Sequence, residues 1–347
     1  MYKKYFISFL SVILSLLIIT GTTVFAVDPF NHYRADPDMT KIIYQMPYYQ
    51  NIGIAKHTEY DTLITGSSMT QNFMANKFDD TFGCKAIRLS FDGGLITDFV
   101  LLLEAATQNN QELKCIYFGL DNYLITNDSE LNKIQDRIPD YLADDNVLND
   151  VKYLFNKDVI FRYMRVHFAY KNSDSYDFYK MHVWDKGNII TSEEKVLLDY
   201  VMPQKGEILD DDYFFENADY VINALSKVVE SNPDIEFVFF APPYSILYWH
   251  TQKVEGKLNA TLAAMSRCYS KLLEYENVRL FYFQNEFNLI TDLNQYKDYT
   301  HYLLPYNDYM LHCFKTGENE VDREGFRENL NNMRNFVENY KYDNLFK

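Results

Sequence analysis

A serine, a histidine and an aspartate are placed along this chain in a way that suits nucleophilic catalysis. Ser68 follows a short apolar run that ends at Gly66, and His301 is the one of seven histidines with an aspartate, Asp298, three positions before it. On a turn, this spacing lets the carboxylate hold Nδ1 of the ring so that Nε2 faces outward as a base. A serine hydroxyl activated by such a base attacks acyl carbonyls. The three residues therefore predict acyl transfer or ester hydrolysis.

Both motifs also have a plainer structural explanation. Gly-Ser-Ser sequences are common, and a serine at the first turn of a helix often serves only as its N-cap. A carboxylate beside a histidine often does no more than satisfy the hydrogen bonds of the ring. The catalytic interpretation of Ser68, Asp298 and His301 therefore depends on what the neighbouring elements bring to the same place.

From Asp61 onward, short apolar runs alternate with helical patterns, which predicts a parallel sheet covered by helices on both faces. The predicted strands are residues 62–65, 85–89, 113–118, 236–241 and 278–283. The predicted helices are residues 68 to about 78, 95–107, 217–231, 253–276 and 320–340. The expected fold class is α/β, a three-layer sandwich around a doubly wound sheet.

Residues of about 124–215, between the third and fourth predicted strands, interrupt this alternation. Residues 146–156 and 157–170 are expected to form two helices with apolar faces, and an aromatic loop follows around residues 181–184. Such an insertion at the binding edge of a sheet is either a lid or docking wall for a substrate, or only a cover for the core. The sequence leaves both interpretations open.

Glycines and polar residues follow the other predicted strands, at the edge where a parallel sheet binds its ligands. Gly93 and Gly94 follow the second strand and permit a close backbone approach, with an N–H directed at a ligand. Asp121 and Asn122 follow the third strand, and Tyr244 follows the fourth with a phenol at a proline-rich corner. These five are the predicted oxyanion-stabilising or substrate-binding residues.

Four short blocks resemble the SGNH (GDSL-like) hydrolases, and within them the exported, membrane-anchored branch that includes the D-alanyl transfer protein of teichoic acid modification and the acetyltransferases of exopolysaccharide assembly. The matching blocks are Gly66-Ser67-Ser68-Met69 against G-D-S-L, Gly93 or Gly94 against the glycine of the second block, Gly119-Leu120-Asp121-Asn122 against G-x-N-D, and Asp298-x-x-His301 against the last block. In order of elements, the resemblance covers roughly residues 28–340. It implies a flavodoxin-like sandwich, Ser68 as nucleophile, no metal or other cofactor, and an acyl-serine intermediate.

The chain departs from the family pattern at Asp121, which stands where the family has an oxyanion-binding asparagine. An ionised carboxylate beside a developing oxyanion would raise the barrier, whereas a proper hydrogen-bond donor there lowers it by about 3–4 kcal/mol. Three explanations remain open. Asp121 is turned away, Asn122 supplies the donor, or the backbone N–H groups of Ser68 and of Gly93 or Gly94 form the oxyanion hole.

Residues 1–27 form a separate N-terminal segment. Lys3 and Lys4 precede an uncharged run over residues 5–27, which is long enough to cross a bilayer core of about 30 Å. The lysines predict a cytoplasmic N-terminus and an exported body, with the segment acting as a retained anchor or as a signal peptide. Residues 28–59 are expected to be a stalk and the segment leading into the domain, and residues 60–347 the domain itself.

Composition limits the partners of the chain. Its 347 residues carry a net charge of −16, which disfavours nucleic acid because no basic field exists to neutralise phosphates. The four cysteines lack the CxxC spacing of a metal or redox site. They are expected to be free thiols, although a disulfide between Cys84 and Cys115 stays open.

The expected function is extracytoplasmic O-acyl transfer or ester hydrolysis on a cell-surface glycan. The acceptor is a teichoic acid-like polymer or a neutral polysaccharide, and a membrane-embedded acyl donor protein is the implied partner. The alternative is a catalytically silent module of the same fold that binds glycan or scaffolds an envelope assembly complex. Asp121 keeps this alternative open, because it stands where catalysis needs a donor.

Overall fold

The computed structural model of the chain describes residues 2–38, 42–127, 137–171, 173 and 177–346. Five strands form one sheet in which all neighbours are parallel. The strands are β1 (Thr62–Gly66), β2 (Ala86–Arg88), β3 (Cys115–Gly119), β4 (Glu236–Ala241) and β5 (Val278–Tyr282). Each of them falls on a predicted strand. The order β2-β1-β3-β4-β5 is one of the common orders of doubly wound sheets.

The α-helices of the described residues surround this sheet. In chain order they are α1 (Tyr2–Val27), α2 (Pro47–His57), α3 (Ala75–Phe82), α4 (Ile96–Asn109), α5 (Asn122–Thr126), α6 (Asp140–Ala143), α7 (Val151–Leu154), α8 (Met164–Tyr170), α9 (Glu193–Asp199), α10 (Phe215–Ser231), α11 (Ile246–Val254), α12 (Leu258–Leu272), α13 (Phe287–Thr291), α14 (Leu304–Thr316) and α15 (Arg323–Asn339). Helices α2, α4, α10, α12 and α15 pack side by side in that order. Helix α3 packs against α14.

Helices cover both faces of the sheet because its strands are apolar on both sides. In β3, the Phe118 ring packs against Phe99 of α4 with ring centroids 5.2 Å apart. The preceding residue, Tyr117, points to the opposite face and packs against Phe78 of α3 at 4.9 Å. Successive residues of one strand thus contact helices on opposite sides, as in a parallel sheet buried on both faces. The prediction of an α/β fold with a parallel sheet between helices is confirmed.

Two predicted helices differ from the observed ones. The helix predicted over residues 68–78 is a single 3-10 turn, Ser68–Thr70, followed by a loop and then by α3. Ser67 closes this turn directly after β1, because its side chain accepts the N–H of Met69. The helix predicted over residues 253–276 begins later, as α12, because Gly256 adopts the left-handed conformation at φ 73° and ends the preceding α11, which is not predicted.

The chain between β3 and β4 holds α5 to α10 and long stretches of loop. Of the two helices predicted at residues 146–156 and 157–170, the first is shorter than expected, whereas the second is confirmed as a continuous helical run over residues 157–170. Helix α7 covers about one turn, and a π-helical stretch, Val159–Tyr163, leads into α8. The aromatic loop around Trp184 lies against the body, with the Trp184 side chain buried.

Helix α1 is long and apolar enough to cross a membrane, and most of its side chains lie outside the packed body. Its last turns are the exception, because Val24 is buried in a small apolar cluster with Phe30 and Tyr153. Residues 28–38 fold back near this cluster through hydrogen bonds to the Asp28 carboxylate, and they do not extend as a stalk.

The segment that leads into the domain packs on it as well. Helix α2 lies against α4, and its Gly53 approaches the backbone of Phe30 and Asn31 so closely that a Cβ would overlap it. This segment is therefore part of the domain. The four cysteines, Cys84, Cys115, Cys268 and Cys313, are free thiols.

Candidate active site

Ser68 lies directly after β1, at the edge of the sheet where the carboxyl ends of the strands meet. The strand order reverses here, since β2 and β3 lie on opposite sides of β1. Ligands of doubly wound sheets bind at such a switch point. Gly66 has φ 144°, and a Cβ on it would lie 2.2 Å from Thr70 Oγ1. The sharp turn that carries Ser68 to the edge therefore requires a glycine at this position.

Ser68, His301 and Asp298 are brought together at this edge. Ser68 Oγ lies 2.8 Å from His301 Nε2. His301 Nδ1 lies 2.8 Å from Asp298 Oδ2 and 3.0 Å from Oδ1. All three residues are partly exposed at this edge. In this arrangement of hydroxyl, imidazole and carboxylate, the ring is placed to accept the serine proton.

The Asp298 carboxylate is held in place by its own loop. Its Oδ1 accepts the backbone N–H groups of Thr300 and His301, each at 2.9 Å, and the Thr300 hydroxyl at 2.8 Å. Burial alone would raise the pKa of Asp298, but the hydrogen bonds from His301 and Thr300 and the attraction of the His301 ring outweigh it and hold this pKa well below its ordinary value. The carboxylate therefore stays ionised and orients the ring so that Nε2 faces Ser68.

Asp121, the departure from the expected asparagine, is fully buried. Its carboxylate accepts hydrogen bonds from the Ser67 hydroxyl and, at 2.9 Å, from the Tyr244 hydroxyl. Burial raises the pKa of Asp121 to about 6, because the hydrogen bonds compensate only part of the lost hydration. Burial and the nearby carboxylate also raise the pKa of Tyr244 well above its ordinary value. Asp121 and Tyr244 are thus engaged with each other and support the serine turn from inside the protein.

Asn122 is buried in a separate contact. Its side-chain amide donates to Gln284 Oε1 at 3.3 Å and accepts from Gln284 Nε2 at 2.8 Å. The amide also forms a hydrogen bond with Tyr248. The donors and the acceptor of Asn122 are therefore engaged within the protein.

Gly93 and Gly94 lie in the loop after β2. The Gly94 N–H donates to Phe91 O at 3.0 Å, and a Cβ at Gly94 would lie 2.7 Å from the Phe99 ring, so this glycine serves the turn and its packing. Gly93 is exposed and adopts φ 57°. Neither the N–H of Gly93 nor that of Ser68 donates a hydrogen bond to another described residue. These two backbone N–H groups remain available to a ligand.

Trp184, from the chain between β3 and β4, forms a wall of the site. Its ring meets the His301 ring edge-on, with centroids 5.5 Å apart. Trp184 is fixed there because its Nε1–H donates to Tyr302 O at 2.9 Å and its backbone exchanges two hydrogen bonds with the Asn72 side chain. Lys297 Nζ lies 4.5 Å from the centroid of the Trp184 ring. The segment between the two strands therefore contacts the catalytic candidates as well as the core.

No protein-family model matches this chain, and no curated protein matches it at a significant level.

An open cavity of about 560 Å³ begins beside the loop of Asp298, and Tyr299, Tyr200 and Glu255 are among the residues that line it. A cavity of about 780 Å³ lies between α4 and α10 and does not involve the three catalytic candidates.

Within the described part of the chain, no group of three or more His, Cys, Asp or Glu side chains is placed to hold a metal ion.

Two features of the site lie outside the sequence prediction. Thr300, which binds Asp298, stands two positions after it, and this spacing of an Asx turn is a signal that identifies it. The contact between Ser67 and Asp121 follows from the pairing of β1 with β3, whose last residues are register partners. That contact becomes visible only when the pairing of the strands is known.

Proposed function

We propose that the protein is a serine-dependent O-acyltransferase or esterase of the SGNH (GDSL-like) type that acts on a cell-surface glycan outside the cytoplasm. The observation that carries the proposal is the 2.8 Å contact of Ser68 Oγ with His301 Nε2, with Asp298 on the other ring nitrogen. A serine that only caps a helix needs no such partner. The position of Ser68 after the first strand of a doubly wound sheet supports the same family.

In the proposed reaction, His301 Nε2 takes the proton of Ser68 as Oγ attacks the acyl carbonyl of a donor ester. Asp298 holds the ring and stabilises the imidazolium that forms. The alcohol of the donor then leaves with the proton from His301, and an acyl ester of Ser68 remains. A glycan hydroxyl or a water molecule, deprotonated by His301, attacks this ester and releases the acylated glycan or the free carboxylic acid. His301 returns the proton to Ser68 Oγ as this ester bond breaks.

The oxyanion of the tetrahedral intermediate is assigned to the backbone N–H groups of Ser68 and Gly93, which have no other described acceptor. A donor role of Asn122 has less support, because its amide is engaged with Gln284. The explanation that Asp121 is turned away agrees with this assignment, because its buried carboxylate accepts the hydroxyls of Ser67 and Tyr244. Fixed backbone donors stabilise a developing oxyanion without reorganisation, which is why they suit this role.

Helix α1 supports a site of action at a membrane surface. Lys3 and Lys4 before its apolar run favour a cytoplasmic N-terminus, which places the body outside. A membrane-embedded acyl donor protein beside the anchored domain would then deliver the acyl group to Ser68. The net charge of −16 favours a neutral polysaccharide as acceptor over a polyanion such as teichoic acid, because like charges repel.

The second candidate is a module of the same fold that binds glycan or scaffolds an assembly complex without catalysis. Asp121 favours this candidate. A carboxyl with a pKa of about 6 is largely ionised at neutral pH, and this one is bonded to Ser67, the neighbour of the proposed nucleophile. A negative charge near the site opposes the formation of an oxyanion.

The test is the reaction of the purified full-length protein with a fluorophosphonate probe and with an activated acetyl ester. We expect Ser68→Ala to abolish both labelling and turnover, because the nucleophile is lost. Ser270→Ala is the matched control and is expected to keep the labelling, since Ser270 lies on α12 and its hydroxyl has no hydrogen-bond partner among the described residues. Equal turnover by the wild type and Ser68→Ala would leave only the binding role.

The same assay separates transfer from hydrolysis. An acyltransferase is expected to consume the ester faster when a glycan acceptor is added, and to yield acylated glycan detectable by mass spectrometry. An esterase is expected to consume the ester at the same rate with and without the glycan, because water resolves the acyl-serine in both cases.

A further inference from the structure

Helix α1 sets the height of the body relative to a membrane. The apolar core of a bilayer is about 30 Å thick and takes about 20 helical residues. Counted from Lys4, the last charged residue before the apolar run, this span ends near Val24. Val24 is fully buried against the body, and a Cβ on Gly21 would lie 3.3 Å from the Phe155 ring. The body therefore contacts α1 at the level of the outer hydrocarbon boundary.

The part of the body that contacts α1 exposes large apolar side chains. Helix α7 and the π-helical stretch before α8 pack against α1. We call residues 146–171, which contain them, the juxtamembrane surface. In it, Leu148 is 87%, Phe161 77% and Phe168 66% exposed. Clustered exposure of such side chains is typical of an interaction surface.

Residues 146–171 carry a net positive charge in an acidic protein, although Lys171 among them is paired with Asp36. Residues 146–171 contain five lysines and arginines and two aspartates, whereas the whole chain has a net charge of −16. Arg162 and Arg165 are exposed and follow Phe161 closely in the chain. Aromatic and basic side chains in one short segment are typical of helices that lie in the membrane interface, with rings among the acyl chains and cations at the headgroups.

We propose that residues 146–171 form a second membrane contact beside α1, in which Phe161 and Phe168 enter the outer leaflet. The occupant of this surface is the bilayer itself, and Arg162 and Arg165 bind its anionic headgroups. Helix α7 and the π-helical stretch pack directly on α1, so α1 and this surface bind one membrane at the same time. Two contacts fix the tilt of the body, and with it the direction in which the edge carrying Ser68 faces.

The packing of Val24 supports retention of α1 in this arrangement. Phe30 and Tyr153 pack with Val24 in one apolar cluster, which also contains Val159 at the start of the π-helical stretch. Removal of residues 1–27 would expose this cluster to water, which is unfavourable for apolar side chains. The cluster therefore joins the anchor to the juxtamembrane surface as one unit.

The test measures whether lipid reaches Phe161 and Phe168. Full-length protein is reconstituted into vesicles of phosphatidylcholine and phosphatidylglycerol, with or without bromine on the acyl chains, which quenches tryptophan fluorescence on contact. Phe161→Trp and Phe168→Trp report on the surface, and the wild type, with its two native tryptophans, provides the background. Leu198→Trp is the matched control, because Leu198 is 82% exposed on α9, outside the juxtamembrane surface.

We expect bromine to quench Phe161→Trp and Phe168→Trp about twofold or more above Leu198→Trp, since interfacial side chains contact the acyl chains. Quenching no greater than that of Leu198→Trp would overturn the proposal. If the protein forms dimers in which both introduced tryptophans are shielded from solvent and bromine has no effect, the surface is a protein interface. That result would also overturn the proposal.

The headgroup part of the proposal has its own measurement. Replacing phosphatidylglycerol with phosphatidylcholine is expected to reduce the quenching of Phe161→Trp, because Arg162 then lacks an anionic partner. Unchanged quenching would overturn the assignment of anionic headgroups. Circular dichroism checks that each variant is folded. The readout does not involve the chemistry at Ser68, so its result is separate from the proposed acyl transfer.

Discussion

Ser68 Oγ and His301 Nε2 lie 2.8 Å apart, although 233 positions separate the two residues in the chain. The contact joins the turn after β1 to a loop that follows β5 and α13. It forms because both segments lie at the carboxyl edge of the same sheet. The hydrogen-bond partner of the serine hydroxyl therefore comes from a loop near the other end of the chain.

Asp298→Asn is expected to lower the turnover of an activated ester by about 10⁴-fold. The amide cannot stabilise the imidazolium, and it favours the tautomer whose Nε2 carries a proton and cannot act as a base. Steady-state kinetics measure the loss. Asp308→Asn is the control, because it removes a carboxylate that pairs with Lys77 away from His301. Similar turnover by both variants would exclude a role of Asp298 through His301.

Asp121→Asn is expected to change how stability depends on pH. The buried carboxyl has a pKa raised to about 6, so the folded protein holds its proton more tightly than the unfolded chain does. The tighter proton binding stabilises the folded state at pH near 4 by roughly 3 kcal/mol. This stabilisation is lost as the pH rises through 6.

Urea denaturation between pH 4 and 7 measures this dependence. The asparagine variant has no proton to lose at this position and is expected to show a smaller decline in the free energy of unfolding over this range. The Asp308→Asn variant, which alters an exposed carboxylate, is expected to keep the wild-type decline. Parallel curves for wild type and Asp121→Asn would contradict the raised pKa.

Trp184→Ala is expected to reduce turnover about tenfold, because the His301 ring loses the wall that limits its orientations. Trp184→Phe keeps an aromatic edge near His301 but loses the hydrogen bond to Tyr302, and it is expected to retain most of the activity. Ester turnover and thermal unfolding, measured for both variants, separate loss of orientation from loss of stability. Equal turnover by the alanine variant and the wild type would show that the wall is dispensable.

Gly119→Ala is expected to destabilise the protein by about 1–3 kcal/mol, the usual range for overpacking. A Cβ there would lie 2.5 Å from Thr70 Oγ1 and 3.0 Å from the Phe240 ring. Among the described residues Thr70 Oγ1 has no hydrogen-bond partner, so Thr70→Ala alone is expected to cost little stability. In the double variant, Thr70→Ala removes the closer overlap and is expected to restore part of the stability. Strictly additive effects in urea denaturation would contradict this contact.

The strands and their class could be predicted from the sequence because their signals are local. Each strand of the sheet coincides with a short apolar run, since a strand buried on both faces needs apolar side chains throughout. The contact of Asp298 with His301 could also be predicted from the sequence, because a spacing of three residues on a turn brings the carboxylate to the ring. The interruption at Gly256 lies inside the helix predicted over residues 253–276, although its cause, a glycine in the left-handed conformation, is also local.

Other features were decided by contacts between segments that are distant in the chain. The position of Asp121 in the sequence suggests an acid at the oxyanion. In the structure, burial sets its pKa, and the hydrogen bonds from Ser67 and Tyr244 set the direction of its oxygens. The contact of Trp184 with His301 depends on how a long insertion folds back over the sheet edge. By itself the sequence determined which groups the chain carries and which local turns present them. The tertiary structure decided which of these groups contact each other and which are desolvated, because both depend on packing between elements that are distant in the chain.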